Sequence, residues 1–230
     1  MNAGSSPPEP LPIAILISGR GSNMAAFIEA VERGTLAVRI ALVLSNNPEA
    51  PGLARARQAG IDTAVVNHRD YPGREAFDEA LVARLRAAGA ELVILAGFMR
   101  ILSSVFITAF SGRLLNIHPS LLPKYPGLNT HQRALDAGDT EAGVTVHFVT
   151  EELDGGPPIL QARVPVQTGD TADSLAARVI VEEHKIYPLA AHWFVQGRLC
   201  LTEQGALLDG KPIPATGITY GPDCDWTVRG

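Results

Sequence analysis

Two hydrophobic patterns alternate along the first half of the chain. Short continuous apolar runs at residues 13–17 and 92–95 are typical of parallel strands that are buried on both faces, and residues 38–44 are predicted to form another strand. Between them lie stretches such as residues 73–88, where apolar side chains recur every four positions on one helical stripe. The alternation therefore predicts strands connected by helices.

The predicted elements define an α/β fold. Further strands are predicted at residues 63–66, 114–117, 143–149, 159–166 and 198–202, and further helices at residues 24–33, 51–59, 104–110, 128–137 and 171–196. We expect a Rossmann-like, doubly wound, mostly parallel sheet with helices on both faces. Consecutive strands in the second half make the sheet mixed. Residues 11–208 are predicted to form a single domain, residues 1–10 a disordered lead, and residues 209–230 a tail without a clear period.

Composition narrows the class of protein without naming a function. The 230 residues carry a net charge of -5 and contain no basic run, which excludes an obvious nucleic-acid or membrane surface. Cys200 and Cys224 are too few for a disulfide framework or a zinc site. No apolar run has transmembrane length, and no secretory signal is visible. We therefore expect a cytoplasmic protein whose partners are small molecules.

Polar residues stand at the end of the predicted strand at residues 114–117. Asn116 and His118 are two positions apart, so both side chains leave the same face of a strand. Pro119 cannot donate to a sheet ladder and ends the strand. Ligands of open α/β sheets bind at the carboxyl ends of the strands. This edge is therefore a candidate site, although an ordinary strand end would look the same.

A glycine-rich loop at residues 18–23 follows the first strand and opens the first helix. Its backbone N–H groups, together with the helix N-terminus, can hold an anion near Gly21, Ser22 and Asn23. The loop lacks the Gly-Lys-Ser/Thr of a Walker motif and the third glycine of a dinucleotide fingerprint. A single phosphate is the favoured ligand, and a tight turn with a helix cap is the alternative.

The next two candidates concern an elongated ligand. Gly97 permits close backbone approach, and Met99, Ile101 and Leu102 can line a flat apolar slot or simply pack into the core. Arg74, near the start of the third helix, can clamp a carboxylate or remain solvated.

Two acidic residues complete the candidates. Asp154 lies in a Gly/Pro turn and can orient His118 and favour its charged form, provided that the turn lies beside it; otherwise it is a turn carboxylate. Glu183 borders the apolar face of the long helix, where ribose hydroxyls can satisfy it, or it reaches solvent. The remaining histidines are predicted to be structural or surface residues: His68, His131, His147, His184 and His192.

Taken together, these motifs resemble the phosphoribosylglycinamide formyltransferases, or glycinamide ribonucleotide transformylases, of the folate-dependent formyltransferase family. The shared segments are LISGRGSN at residues 16–23, AGFMRIL at 96–102, RLLNIHPSLLPKYPGL at 113–128, HFVTEELDGGPPI at 147–159 and EHKIYP at 183–188. The KYPGL continuation distinguishes the chain from methionyl-tRNA formyltransferases.

The resemblance implies a formyltransferase fold and formyl transfer from 10-formyltetrahydrofolate, the co-substrate, to the amine of 5-phosphoribosylglycinamide in purine synthesis. Another folate-dependent formyltransferase or a formyltetrahydrofolate deformylase is the alternative. Asn116, His118 and Asp154 would be catalytic. No metal is implied, and the protein would be a monomer or a homodimer.

The resemblance also assigns two pockets and expects a cis Leu122–Pro123 peptide bond. Gly21, Ser22, Asn23 and Glu183 would bind the ribonucleotide. The folate would contact Arg74, Met99, Arg100, Ile101, Leu102, Asn116, Thr150, Glu151, Glu152, Leu153 and Asp154. A nicotinamide oxidoreductase is disfavoured by the incomplete glycine fingerprint, and a non-catalytic binding module by the intact catalytic residues.

Overall fold

The computed structural model describes residues 9–224 and residue 226. Residues 1–8 of the predicted disordered lead lie outside this part of the chain. The strands are β1 (Leu11–Ile17), β2 (Val38–Ser45), β3 (Thr63–Val65), β4 (Leu92–Leu95), β5 (Leu114–His118), β6 (Glu141–Phe148), β7 (Pro158–Pro165), β8 (Leu199–Thr202), β9 (Gly205–Leu208), β10 (Lys211–Pro212) and β11 (Ile218–Thr219). The helices are α1 (Ser22–Glu32), α2 (Pro51–Gln58), α3 (Arg74–Ala87), α4 (Ser104–Ala109), α5 (Thr130–Asp136) and α6 (Ala172–Val195).

The main sheet confirms the predicted α/β class. It contains eight strands in the order β11-β7-β6-β5-β4-β1-β2-β3. The five strands from β3 to β5 are parallel, whereas β6 runs antiparallel to both of its neighbours. The chain moves outward from β1 to β3 and then returns to β4 on the other side of β1. The loops after β1 and β4 therefore flank a topological switch point, where open sheets bind ligands.

Apolar side chains on alternating positions fill a core on each face of the sheet. Ile13 and Ile15 of β1 pack with residues of α1 and α6, whereas Ala14 and Leu16 pack with residues of α3 and α4. This explains the continuous apolar runs, because a strand covered on both faces buries every side chain. The long helix α6 runs through Pro188 without interruption.

The C-terminal region contributes more structure than its sequence pattern indicates. Strands β8, β9 and β10 form a separate three-stranded sheet. Strand β11 adds to the edge of the main sheet through Ile218 and Thr219, which pair in parallel with β7. Both β10 and β11 contain two residues, which is too short to show a period. Among the described residues, no helix is long and apolar enough to cross a membrane.

Candidate active site

The candidate site is built on the carboxyl end of β5. Leu115 and Ile117 point into the core on one face of the sheet, so Asn116 and His118 point to the other. His118 is only 6% exposed. The strand ends at His118, because the following Pro119 has no N–H for the ladder. The predicted side-by-side amide and imidazole are therefore present.

Both ring nitrogens of His118 face acceptors. Its Nε2 lies 2.8 Å from the carbonyl oxygen of Tyr125, and its Nδ1 lies 3.4 Å from Oδ2 of Asp154. A carbonyl oxygen can only accept, so Nε2 of His118 carries a proton and donates to it, while Nδ1 faces the carboxylate of Asp154. The structure thus brings His118 and Asp154 together, which sequence spacing alone could not establish.

A second histidine orients Asn116. In the antiparallel ladder of β5 and β6, His147 lies opposite Asn116, and directly opposed side chains share a face. Nδ1 of His147 lies 2.8 Å from the carbonyl oxygen of Phe148 and must donate to it. Its Nε2 is then an acceptor for the Asn116 amide, 3.1 Å away. Burial lowers the pKa of His147 to about 4, which keeps this ring neutral at pH 7. One N–H of Asn116 is used in this way, and the other is left for a ligand.

Asp154 reaches the cluster from the turn between β6 and β7. It adopts a left-handed backbone with φ of 52°, and its side chain is only 8% exposed. Its Oδ2 also accepts the backbone N–H of Gly127 at 2.8 Å. The turn packs closely against the end of β6: a Cβ on Gly156 would lie 1.9 Å from the carbonyl oxygen of Phe148. Only glycine fits at that position.

The glycine loop opens α1 beside a buried carboxylate. Gly21 is left-handed with φ of 68° and precedes the first helical residue, Ser22. The amide of Asn23 donates to Oε2 of Glu183 on α6 at 2.7 Å, while Oδ1 of Asn23 is buried without a partner among the described residues. Burial raises the pKa of Glu183, and the bond from Asn23 partly opposes that effect. The start of α1 and Glu183, far apart in sequence, are therefore in direct contact.

The predicted slot follows β4 on the other side of the switch point. Met99 is 68% exposed and Ile101 59% exposed, so these side chains do not pack into the core. Leu102 is partly buried against the α3–α4 core, and Arg100 is exposed. In the turn that carries Asp154, Leu153 is 57% exposed. Large apolar side chains held at the surface beside a polar cluster are typical of a ligand-binding surface.

Comparison with known proteins places these features in a family. The model of the formyl transferase family matches residues 11–191, from β1 through most of α6. The chain belongs to the formyl transferase family.

Named relatives of this formyl transferase agree with one another. It is 53% identical to the phosphoribosylglycinamide formyltransferase of Escherichia coli over 205 residues, which cover 89% of this chain and 97% of that relative. It is 46% identical to the human trifunctional purine biosynthetic protein adenosine-3 over 85% of this chain and 19% of that protein. The structure of the Coxiella burnetii phosphoribosylglycinamide formyltransferase superposes with a TM-score of 0.89 at 49% identity, covering 93% of this chain and all of that one.

Four residues that are expected to contact the folate lie outside the hydrogen-bonded cluster. Arg74 is the first residue of α3 and is exposed, as a clamp for a distant carboxylate would be. Thr150 is partly buried, whereas Glu151 and Glu152 are exposed in the turn that carries Asp154. No contact between these residues and Asn116 or His118 is recorded, so their assignment to the folate stays a prediction.

His147 is the functional candidate that sequence reasoning set aside. It is 1% exposed and touches Asn116. Its partnership depends on the register between β5 and β6, which no local pattern reveals. The alternation of side chains along β6 could have indicated that His147 is buried. It could not have identified Asn116 as its partner.

The segment Lys124 to Leu128, here called the strap, was also unforeseen. The carbonyl oxygen of Tyr125 and the N–H of Gly127 bind His118 and Asp154, respectively. The strap is anchored at its other side, where Lys124 Nζ and the Tyr125 hydroxyl both donate to Asp139 at 2.9 Å. The preceding Leu122–Pro123 bond is cis, as the resemblance implied. The strap thus connects the catalytic candidates to a carboxylate outside the site.

No metal site accompanies the cluster in the part of the chain that the structure describes. There, His, Cys, Asp and Glu side chains form no group of three or more suited to a metal ion. The side chains of Asn116, His118, His147 and Asp154 can take part in hydrogen bonding and proton transfer.

Proposed function

We propose that this enzyme transfers the formyl group of 10-formyltetrahydrofolate to the amine of 5-phosphoribosylglycinamide. The products are 5-phosphoribosyl-N-formylglycinamide and tetrahydrofolate, and the reaction belongs to de novo purine synthesis in the cytoplasm. Membership of the formyl transferase family and the names of the relatives support this function. The observation that carries the proposal is the contact of His118 with Asp154, close to Asn116 at the carboxyl end of β5.

Asn116 stabilises the charge that develops during the reaction. When the substrate amine bonds to the formyl carbon, the formyl oxygen becomes an oxyanion. The amide N–H of Asn116 that does not bind His147 donates to this oxygen. Because His147 fixes the amide beforehand, little reorganisation is needed, and a preorganised donor of this kind contributes roughly 10²–10³ in rate.

His118 provides the second donor and moves the proton. As an imidazolium, it turns its Nε2–H from the carbonyl oxygen of Tyr125 to the oxyanion while Nδ1 stays against Asp154. It also assists transfer of the amine proton to the folate nitrogen as the bond between that nitrogen and the formyl carbon breaks. General acid–base assistance of this type contributes about 10²–10⁴ in rate. Asp154 stabilises the charged ring through the contact between its Oδ2 and Nδ1. No covalent intermediate with the protein is required, since the nucleophile belongs to the substrate.

The two pockets supply the substrates from opposite sides of β1 and β4. Gly21, Ser22 and Asn23 bind the phosphate at the start of α1, where helix N–H groups point outward. Glu183, held by Asn23, accepts from ribose hydroxyls.

The folate lies along Met99, Arg100, Ile101 and Leu102 and against the turn at residues 150–154. Arg74 meets its glutamate carboxylates. This arrangement accounts for the exposed apolar side chains of the slot.

An absorbance assay of 10-formyltetrahydrofolate turnover tests the proposal. Tetrahydrofolate should accumulate only when 5-phosphoribosylglycinamide is present, in equal amount to the formylated product. Equal turnover without the ribonucleotide would instead establish a formyltetrahydrofolate deformylase. The control is Asn67→Ala, at a half-buried asparagine whose side chain accepts the N–H of Arg69, and it should keep wild-type turnover.

A further inference from the structure

A buried carboxylate lies on α3, outside the cluster described above. Asp78 is 0% exposed. Its Oδ2 accepts the backbone N–H of Ser103 at 2.5 Å, while its Oδ1 is buried without a hydrogen-bond partner among the described residues. No cationic side chain forms an ion pair with it in the same part of the chain. Burying a carboxylate in this way costs folding free energy. An alanine or a leucine could occupy such a helix position without that cost.

Asp78 holds the C-terminal end of the slot, which is the segment from Met99 to Leu102. Ser103 directly follows Leu102, and the four residues from Met99 to Leu102 have no regular secondary structure. The other end of this segment is held in the same manner, because the N–H of Met99 donates to the hydroxyl of Ser18 at 2.8 Å. That hydroxyl in turn donates to Asn46 at 2.6 Å. Side chains from the loop after β1 and from α3 therefore fix both ends of the segment that carries Met99 and Ile101.

The same helix carries the predicted carboxylate clamp. Arg74 and Asp78 are four residues apart on α3, so they lie on the same side of the helix, one turn apart. The bond to Ser103 thus sets the distance between Arg74 and the slot. A rigid spacing of this kind suits a ligand that is long and must be contacted at both ends.

We propose that Asp78 is a positioning residue for the folate: it fixes the slot and its distance from Arg74 through Ser103. This inference rests on the proposed function and specifies how its folate pocket is kept in shape. Asp78 touches neither substrate. Its effect on affinity arises because a preformed slot avoids the ordering cost that a loose segment would incur on binding.

The test compares Asp78→Ala with Asp78→Asn, in which the amide oxygen can still accept from Ser103. The matched control is Val82→Ala, one turn further along α3 and 6% exposed. Valine has no side-chain hydrogen bond to lose, so this variant destabilises the same helix but leaves the bond to Ser103 in place. Calorimetric titration with tetrahydrofolate gives the dissociation constant, steady-state kinetics give both Michaelis constants and kcat, and thermal melting reports stability.

We expect Asp78→Ala to weaken tetrahydrofolate binding about tenfold, the effect of losing one hydrogen bond to a charged group. The Michaelis constant for the ribonucleotide should stay within about twofold. Asp78→Asn should recover most of the affinity. Val82→Ala should bind tetrahydrofolate like the wild type even if its melting temperature falls as far. Wild-type affinity in Asp78→Ala, or equal weakening of both substrates, would overturn the proposal.

Hydrogen exchange keeps the proposal testable if Asp78→Ala does not fold. In the unliganded wild-type protein, the Ser103 amide should be strongly protected, and Asp78→Asn should exchange it faster because a neutral acceptor binds more weakly. Exchange of the wild-type Ser103 amide at the rate of an unstructured peptide would overturn the proposal. This readout needs no substrate, so it separates failure of the Asp78 assignment from failure of the proposed function, which the turnover assay detects.

Discussion

The catalytic cluster and the folate slot lie at the same edge of the sheet, yet they are built in opposite ways. In the cluster, His118 and His147 are buried, and each ring nitrogen faces a polar partner. In the slot, Met99 and Ile101 are largely exposed, and only the ends of the segment are held. One region satisfies polar groups inside the protein, whereas the other keeps apolar groups at the surface.

The difference indicates where each region acts. Buried polar networks are stable only when fully satisfied, and they fix side chains in one geometry. Side chains fixed in this way stabilise the charge that develops in the transition state, which raises kcat. Exposed apolar side chains gain free energy only when a ligand covers them, which affects affinity. Substitutions in the cluster should thus lower kcat, and those in the slot should raise the Michaelis constant for the folate.

The largest effect is expected from His118→Ala. Loss of the proton donor should lower kcat by about 10²–10⁴, with both Michaelis constants little changed. Steady-state kinetics measure this directly. His192→Ala is the matched control, since that imidazole packs against Trp226 and should leave kcat intact. Near-normal kcat in His118→Ala would remove the proton-transfer role.

Asn116→Ala should rank next. It removes one oxyanion donor and should lower kcat by roughly 10²–10³, while the tetrahydrofolate dissociation constant changes less. Single-turnover kinetics at saturating substrates separate the chemical step from product release. If the chemical step kept its rate, Asn116 would only bind substrate.

Because burial lowers the pKa of His147, the stability of the protein should depend on pH. Burial lowers its pKa from the ordinary 6.5 to about 4 in the folded protein, so the unfolded chain binds more protons between these values. The stability that this group contributes is therefore fully present above pH 6.5 and is lost as the pH falls through 4. From pH 7.5 to 5, the loss in the free energy of unfolding should be about 2 kcal/mol.

His147→Asn tests this dependence, because asparagine does not titrate and can still donate towards Phe148. Urea unfolding at both pH values should show about 2 kcal/mol less pH dependence in the variant. Other groups, such as Glu183, contribute equally to both proteins and cancel. An identical pH dependence in the variant and the wild type would mean that His147 is not buried in its neutral form.

The smallest effect concerns the slot. Ile101→Ser removes apolar surface that the folate would cover, and the Michaelis constant for 10-formyltetrahydrofolate should rise about tenfold, with kcat within about twofold. Val181→Ser is the control, since Val181 is similarly exposed at 50% but lies on α6. If Ile101→Ser lowered kcat instead, the division between the two regions would fail.

The sequence predicted those parts of this comparison that depend on local patterns. The apolar runs of β1 and β4 identified buried parallel strands because packing on both faces leaves no polar position. Alternation along β5 placed Asn116 and His118 on one face. For the slot, the sequence is compatible with both a ligand-binding surface and a core-packing turn, because a run such as Met99 to Leu102 has the same pattern in either case.

The parts that depend on distant contacts were not predictable. Asp154 meets His118 only because the turn after β6 folds back over β5, and His147 meets Asn116 only through the antiparallel register. The strap contacts of Tyr125 and Gly127 are made by the backbone, which carries no side-chain signal. The pairing of β11 with β7 likewise depends on tertiary structure rather than on a sequence period.

The contact between Asp154 and His118 is the central claim, and Asp154→Asn tests it most directly. The substitution keeps the size of the side chain and an oxygen for the N–H of Gly127, but it removes the charge that stabilises the imidazolium. We predict that kcat falls by about 10²-fold or more, with an unchanged tetrahydrofolate dissociation constant and melting temperature. A kcat close to that of the wild type would contradict the account.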